Sequence, residues 1–165
     1  ICWPDYFIKK DTLISYPLPE EIDSTRIDYF EDLVKLFSID EKIKNIPIWF
    51  INSANDNVVT PKDFSLPSYQ ALLKAGAKNA WYSYYESVKG IDVKNLEYLG
   101  HFSWTYVLNN KVGGVQDTKK IINSTDKKTF GFVPSNSANG GNKKAIYNNK
   151  SYNNLFEWMN KQVKK

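Results

Sequence analysis

Apolar residues recur along this chain with two spacings, and the change from one to the other lays out its elements. Ile27, Phe30, Leu33, Val34 and Phe37 fall three or four apart, which predicts a helix with one buried stripe, begun near Ser24 with Asp28 and Glu31 in its first turn. Ile46-Pro47-Ile48-Trp49-Phe50-Ile51 is then an almost unbroken apolar run. It fits a strand buried on both faces of a sheet, with Pro47 tolerable only near its start. Tyr69 to Ala75 reads as helix, and Gly76 as its C-terminal stop. Ala80-Trp81-Tyr82-Ser83-Tyr84-Tyr85 is short and aromatic, so a second strand follows, with about half of its rings expected in a core. Tyr152, Leu155, Phe156 and Met159 mark an amphipathic helix from Tyr152 to Val163. Near the N-terminus, Ile1-Cys2-Trp3 reads as the tail of a strand halted by Pro4, and the stretch holding Pro17 and Pro19 as loop. Strands alternating with helices predict parallel pairing through right-handed crossovers, the α/β class.

Composition changes this picture little. With 165 residues, 42% hydrophobic and 24% charged, the chain can bury one core and is not globally disordered. A net charge of +4 is too small to argue a nucleic-acid partner, and no apolar run approaches the roughly 18 residues of a membrane span. Charge is uneven, however. Residues 111–150 hold eight lysines against two acids, a balance of +6 that leaves −2 for the remainder. This stretch is also rich in Asn, Gly, Ser and Thr, with Gly113–Gly114 and Gly140–Gly141 read as flexible points. It predicts a long, solvated surface insertion, partly ordered by Ile121, Ile122, Phe130, Phe132 and Val133; a basic partner-binding loop is the alternative. The one cysteine, Cys2, excludes an internal disulfide and any Cys-rich metal site, and reads as a small buried hydrophobe. The chain opens on Ile1 with no charged-then-apolar leader, so a start or signal peptide is expected outside it.

In open α/β sheets the working residues lie just beyond the carboxyl ends of the strands. Two segments are placed there: Asn52 to Pro61 after the first strand, and Gly100-His101-Phe102-Ser103-Trp104 in the loop after the aromatic strand. A serine hydroxyl is a poor nucleophile near neutral pH and needs a histidine within reach to accept its proton. A carboxylate on the other imidazole nitrogen fixes the tautomer and stabilises the imidazolium. Asp56 and the sole histidine, His101, are the candidates for those two roles. Asp63 is a competing carboxylate, but its place in the turn before a helix suits capping better.

The segment Ile46-Pro-Ile-Trp-Phe-Ile-Asn-Ser-Ala-Asn-Asp-Asn-Val-Val-Thr-Pro resembles the acid-bearing strand and turn of α/β-hydrolases, bacterial polyhydroxybutyrate-depolymerase-like and prolyl-oligopeptidase-like esterases in particular. Ala71-Leu-Leu-Lys-Ala-Gly-Ala, Gly100-His-Phe-Ser-Trp and Leu155-Phe-Glu-Trp-Met match in the same order, so the resemblance covers about residues 1–110 and 151–163. It implies Asp56 as triad acid and His101 as general base, in the fold's order of nucleophile, acid, histidine. Ser103 and Trp104 match positions behind the histidine, where packing is the expected role. Trp104 and Tyr106 are also candidates to line a substrate pocket. The departure is large: no Gly-x-Ser-x-Gly occurs among the 165 residues, so nucleophile and oxyanion hole are missing. The resemblance thus implies that residues 1–165 are the C-terminal part of one α/β-hydrolase domain, interrupted by the 111–150 insertion. The parent would be a serine-type ester or peptide hydrolase with no cofactor and no metal. Its partners would be a small or polymeric substrate and the N-terminal part of the same domain, with neither nucleic acid nor membrane. The isolated chain is expected to be inactive, and poorly soluble unless a partner covers its exposed sheet edge. Secretion follows by analogy alone. The alternatives are a non-catalytic hydrolase-like binding module and a self-contained flavodoxin-like domain; the latter lacks a glycine-rich turn after its first strand.

Overall fold

A computed structural model describes residues 43–91, 93 and 95–162. The helix expected over residues 24–37, the Ile1-Cys2-Trp3 strand and the role of Cys2 lie outside the described residues. After a 3₁₀ turn at Ile43–Asn45 come β1 (Ile48–Ser53), α1 (Ser65–Lys74) and β2 (Ala80–Tyr85). Short hairpin strands β3 (Val88–Lys89) and β4 (Glu97–Tyr98) follow, then a 3₁₀ turn at Gly100–Phe102 and α2 (Trp104–Leu108). The last elements are α3 (Thr118–Asn123), β5 (Ala145–Tyr147), β6 (Lys150–Tyr152) and α4 (Leu155–Met159). β1 and β2 pair in parallel, with Ile48 opposite Ala80 and Ser53 opposite Tyr85; β3–β4 and β5–β6 are antiparallel. The chain is therefore mixed α and β with small two-stranded sheets, centred on a β1–α1–β2 unit.

The pleat of β2 sorts its side chains between two cores, because successive residues point to opposite faces. Ala80, Tyr82 and Tyr84 join Leu66, Tyr69, Leu72 and Leu73 on the α1 side. Trp81 and Tyr85 join Val88, Tyr106, Val112, Val115, Leu155 and Trp158 on the other. All four β2 rings are thus buried rather than half of them, since the strand is covered on both faces. β1 follows the same alternation but is mostly half-buried, and it begins at Ile48, one residue after Pro47, which has no N–H to pair. α1 ends where Gly76 predicts. Gly76 takes φ +96° while its N–H and that of Ala77 close back on Leu73 and Leu72, a Schellman cap.

The 111–150 stretch departs from the solvated excursion expected of it. Val112, Val115, Ile121, Phe130, Phe132 and Ala145 are buried, although Ile122 and Val133 remain exposed. Its backbone also completes the outer edge of β2. Gln116 N–H donates to Tyr82 O, Tyr84 N–H to Gly140 O and Ser135 N–H to Tyr84 O, each at 2.8 Å. A strand edge so paired offers fewer free ladder groups. The glycine pairs are not flexible points but backbone crossings. A Cβ on Gly114 would collide with Gly141 O, and one on Gly141 with Val115. The final helix is also shorter than the expected Tyr152–Val163. Tyr152 belongs to β6, and α4 starts only at Leu155, capped by the Asn154 side chain, which accepts from Glu157 N–H at 2.8 Å.

Candidate active site

Asp56 lies in the turn that ends β1. Ala54 N–H donates to Tyr85 O at 2.7 Å, extending the ladder, and Asp56 N–H donates back to Ser53 O at 3.1 Å. That turn points the carboxyl into the protein, where Asp56 is 6% exposed. A buried carboxylate needs donors. Its Oδ1 accepts the N–H groups of Val58 and Val59, both at 3.0 Å. Its Oδ2 stands 3.3 Å from Nδ1 of His101, whose side chain is 41% exposed. This contact is longer than the usual N–H···O bond of about 2.9–3.0 Å.

His101 reaches Asp56 because the two loops interlock. Gly100 packs flush on the Asn55–Asp56 peptide, and a Cβ there would collide with Asp56 N and Asn55 Oδ1. With Nδ1 facing the carboxylate, a neutral imidazole that donates from Nδ1 leaves Nε2 as the basic nitrogen. Chemically, the pair is a base with its orienting acid: it can draw a proton from a hydroxyl and hand it to a leaving group.

No protein-family model matches the chain, and no curated protein or solved structure matches it.

Behind Asp56, Tyr82 is buried, its hydroxyl 2.6 Å from Ser65 Oγ, which in turn accepts from Asn52 Nδ2 at 3.0 Å. Burial pushes the Tyr82 phenol far above the ordinary tyrosine range; the Ser65 hydrogen bond opposes this, and the Asp56 charge adds to it. Tyr82 therefore stays a neutral phenol at neutral pH.

The remaining candidates separate. Ser103 is buried, in keeping with a packing role. Trp104 is 41% exposed, its ring edge-on to Phe102 at 6.0 Å, and Phe102 sits 6.2 Å from the His101 ring. Tyr106 points into the protein. It is 2% exposed, its ring lies against Tyr85 at 4.6 Å, and its hydroxyl accepts from Lys89 N–H at 2.7 Å. Two positions beyond the exposed Trp104 on a short helix, it turns inward. Asp63 does not cap α1 either, because that helix starts without a side-chain cap; Asp63 Oδ2 accepts from Thr60 Oγ1 at 2.5 Å. Among the described residues no three His, Cys, Asp or Glu side chains gather as a metal site requires. Asn55 and Gly100 lie in the two segments that carry the candidates, each directly before one of them, and the sequence gives them no role of their own.

Proposed function

We propose that this chain is the C-terminal part of an α/β-hydrolase domain and contributes the acid, Asp56, and the general base, His101, of a serine-type ester or peptide hydrolase. The observation that carries the reading is the Asp56–His101 contact at 3.3 Å between residues 45 positions apart, with the acid buried and the imidazole open. The parallel β1–α1–β2 unit, which puts Asp56 just past a strand's carboxyl end, supports it. On this reading the nucleophile and the oxyanion hole come from residues outside this chain, since no Gly-x-Ser-x-Gly lies within it. His101 Nε2 takes the serine proton as the hydroxyl attacks the substrate carbonyl, then delivers it to the leaving group. Asp56 keeps its charge throughout and steadies the imidazolium.

The test is a fluorophosphonate probe applied to protein that includes the sequence preceding Ile1. The parent is expected to be labelled at a serine, and Asp56→Asn and His101→Ala to lower turnover by about 10⁴-fold. Full activity in both variants would remove the assignment. The 165-residue chain alone is expected to show no labelling, and robust ester hydrolysis by it would refute the missing nucleophile.

A further inference from the structure

We infer that Asn55 and Gly100 are positioning residues that jointly set the Asp56–His101 separation. Each flanks one member of the pair, and Gly100 packs on the peptide that joins Asn55 to Asp56. The Asn55 side chain ties three segments. Its Oδ1 accepts from the fully buried Ser53 Oγ at 2.6 Å, which anchors it to the end of β1. Its Nδ2 reaches across to the strand leading into His101, 3.4 Å from Tyr98 O and 3.5 Å from Glu97 Oε1. Gly100 supplies the other half of the latch, because with no Cβ it lets the 98–101 backbone settle directly on the Asn55–Asp56 peptide.

The physical argument is one of leverage. Asp56 is rigid on its own account, held by the N–H groups of Val58 and Val59. The His101 side chain is 41% exposed and, among the described residues, makes no side-chain hydrogen bond besides the one to Asp56, so its approach to Oδ2 depends on where residues 98–100 lie. Asn55 Nδ2 and the Gly100 contact fix that segment relative to Asp56, one residue from each partner. A displacement of about 1 Å in such a pair is enough to cost 10²-fold in rate.

The test reads the imidazole tautomer by long-range ¹H–¹⁵N correlation in the 165-residue chain labelled with [¹⁵N]histidine, at a pH where the ring is neutral. His101 is the only histidine, so the spectrum holds one ring. The proton is expected on Nδ1 in the unaltered chain, since the nitrogen that carries it is set by the hydrogen-bond partner. Asp56→Asn gives the spectrum of a ring without its carboxylate. Asn55→Ala and Gly100→Ala are each expected to move the ring most of the way to that reference, with the amide spectrum otherwise dispersed. If Gly100→Ala fails to fold, Asn55→Ala decides, because it removes side-chain bonds and leaves the backbone packing untouched. A ring in Asn55→Ala that keeps the unaltered tautomer would overturn the inference. Its catalytic consequence rests on the hydrolase reading: in the parent, Asn55→Ala should slow fluorophosphonate labelling by about 10²-fold. A shifted tautomer with unchanged labelling would uphold the latch and remove Asp56 and His101 as the acid and base of the labelled serine instead.

Discussion

The two faces of the β1–β2 pair are filled by different means. On one face α1 lays Leu66, Tyr69, Leu72 and Leu73 against Tyr82 and Tyr84, and the packing is aromatic and aliphatic. Tyr69, Tyr82, Phe50 and Phe132 meet there at ring-centroid distances of 4.8–5.8 Å. On the other face the covering is largely irregular chain from residues 106–158, and polar groups do much of the ordering. Asn79 Oδ1 accepts from two indoles, Trp81 at 3.0 Å and Trp158 at 2.7 Å. Ser83 Oγ accepts from Trp49 Nε1 at 2.9 Å and donates to Gly114 O at 2.6 Å. A regular helix can cover a sheet through its apolar stripe alone, whereas irregular chain must settle its backbone and indole polar groups one at a time.

The comparison makes the α1 face the more sensitive to lost volume and the opposite face to a lost acceptor. Tyr69→Ala should be the costliest single change, destabilising by about 3–5 kcal/mol as a wholly buried ring leaves a cavity. Urea unfolding measures it, and a loss below about 1 kcal/mol would show that this core does not hold the fold together. Asn79→Ala removes almost no apolar packing yet strands two indole N–H groups, and should cost about 2–4 kcal/mol. A near-neutral result would mean that water replaces the amide and that the opposite face is not ordered by its polar groups. The smallest effect is alkaline. Burial raises the phenols of Tyr69, Tyr82 and Tyr85 well above their unfolded range. Their contribution is complete below about pH 10 and is lost as pH rises from there toward the folded values, at up to about 1.4 kcal/mol per pH unit for each tyrosine. Burial raises Tyr84 as well, and it joins Tyr69 and Tyr82 on the α1 face, so Tyr85→Phe should leave most of the slope, and Tyr69→Phe, Tyr82→Phe and Tyr84→Phe together should remove most of it. Equal slopes in all variants would contradict the assignment.

The same contrast explains what the sequence made legible. β2 was readable to the residue and α1 at its C-terminal end, because period and Gly76 both mark physical constraints on the backbone, whereas α1 begins at Ser65, four residues before the expected Tyr69. The outer half was not. Its order comes from glycine crossings, from turns with positive φ at Asn110, Phe130, Asn148 and Asn149, and from hydrogen bonds to β2, none of which has a period. Lysine-rich composition therefore suggested solvent where the structure shows a wall of the core. At the candidate site, the addresses of Asp56 and His101 were readable from strand ends. The inward turn of Tyr106 was not, since a helix of five residues is too short to display a stripe.

The uneven cover over Asp56 and His101 has a practical consequence. Reagents that acylate or alkylate imidazole from water can approach one member of the pair, while carbodiimides in solution are walled off from the other. Chemical footprinting of that single ring would therefore register whatever comes to rest over the rim, whether substrate, inhibitor or another stretch of polypeptide.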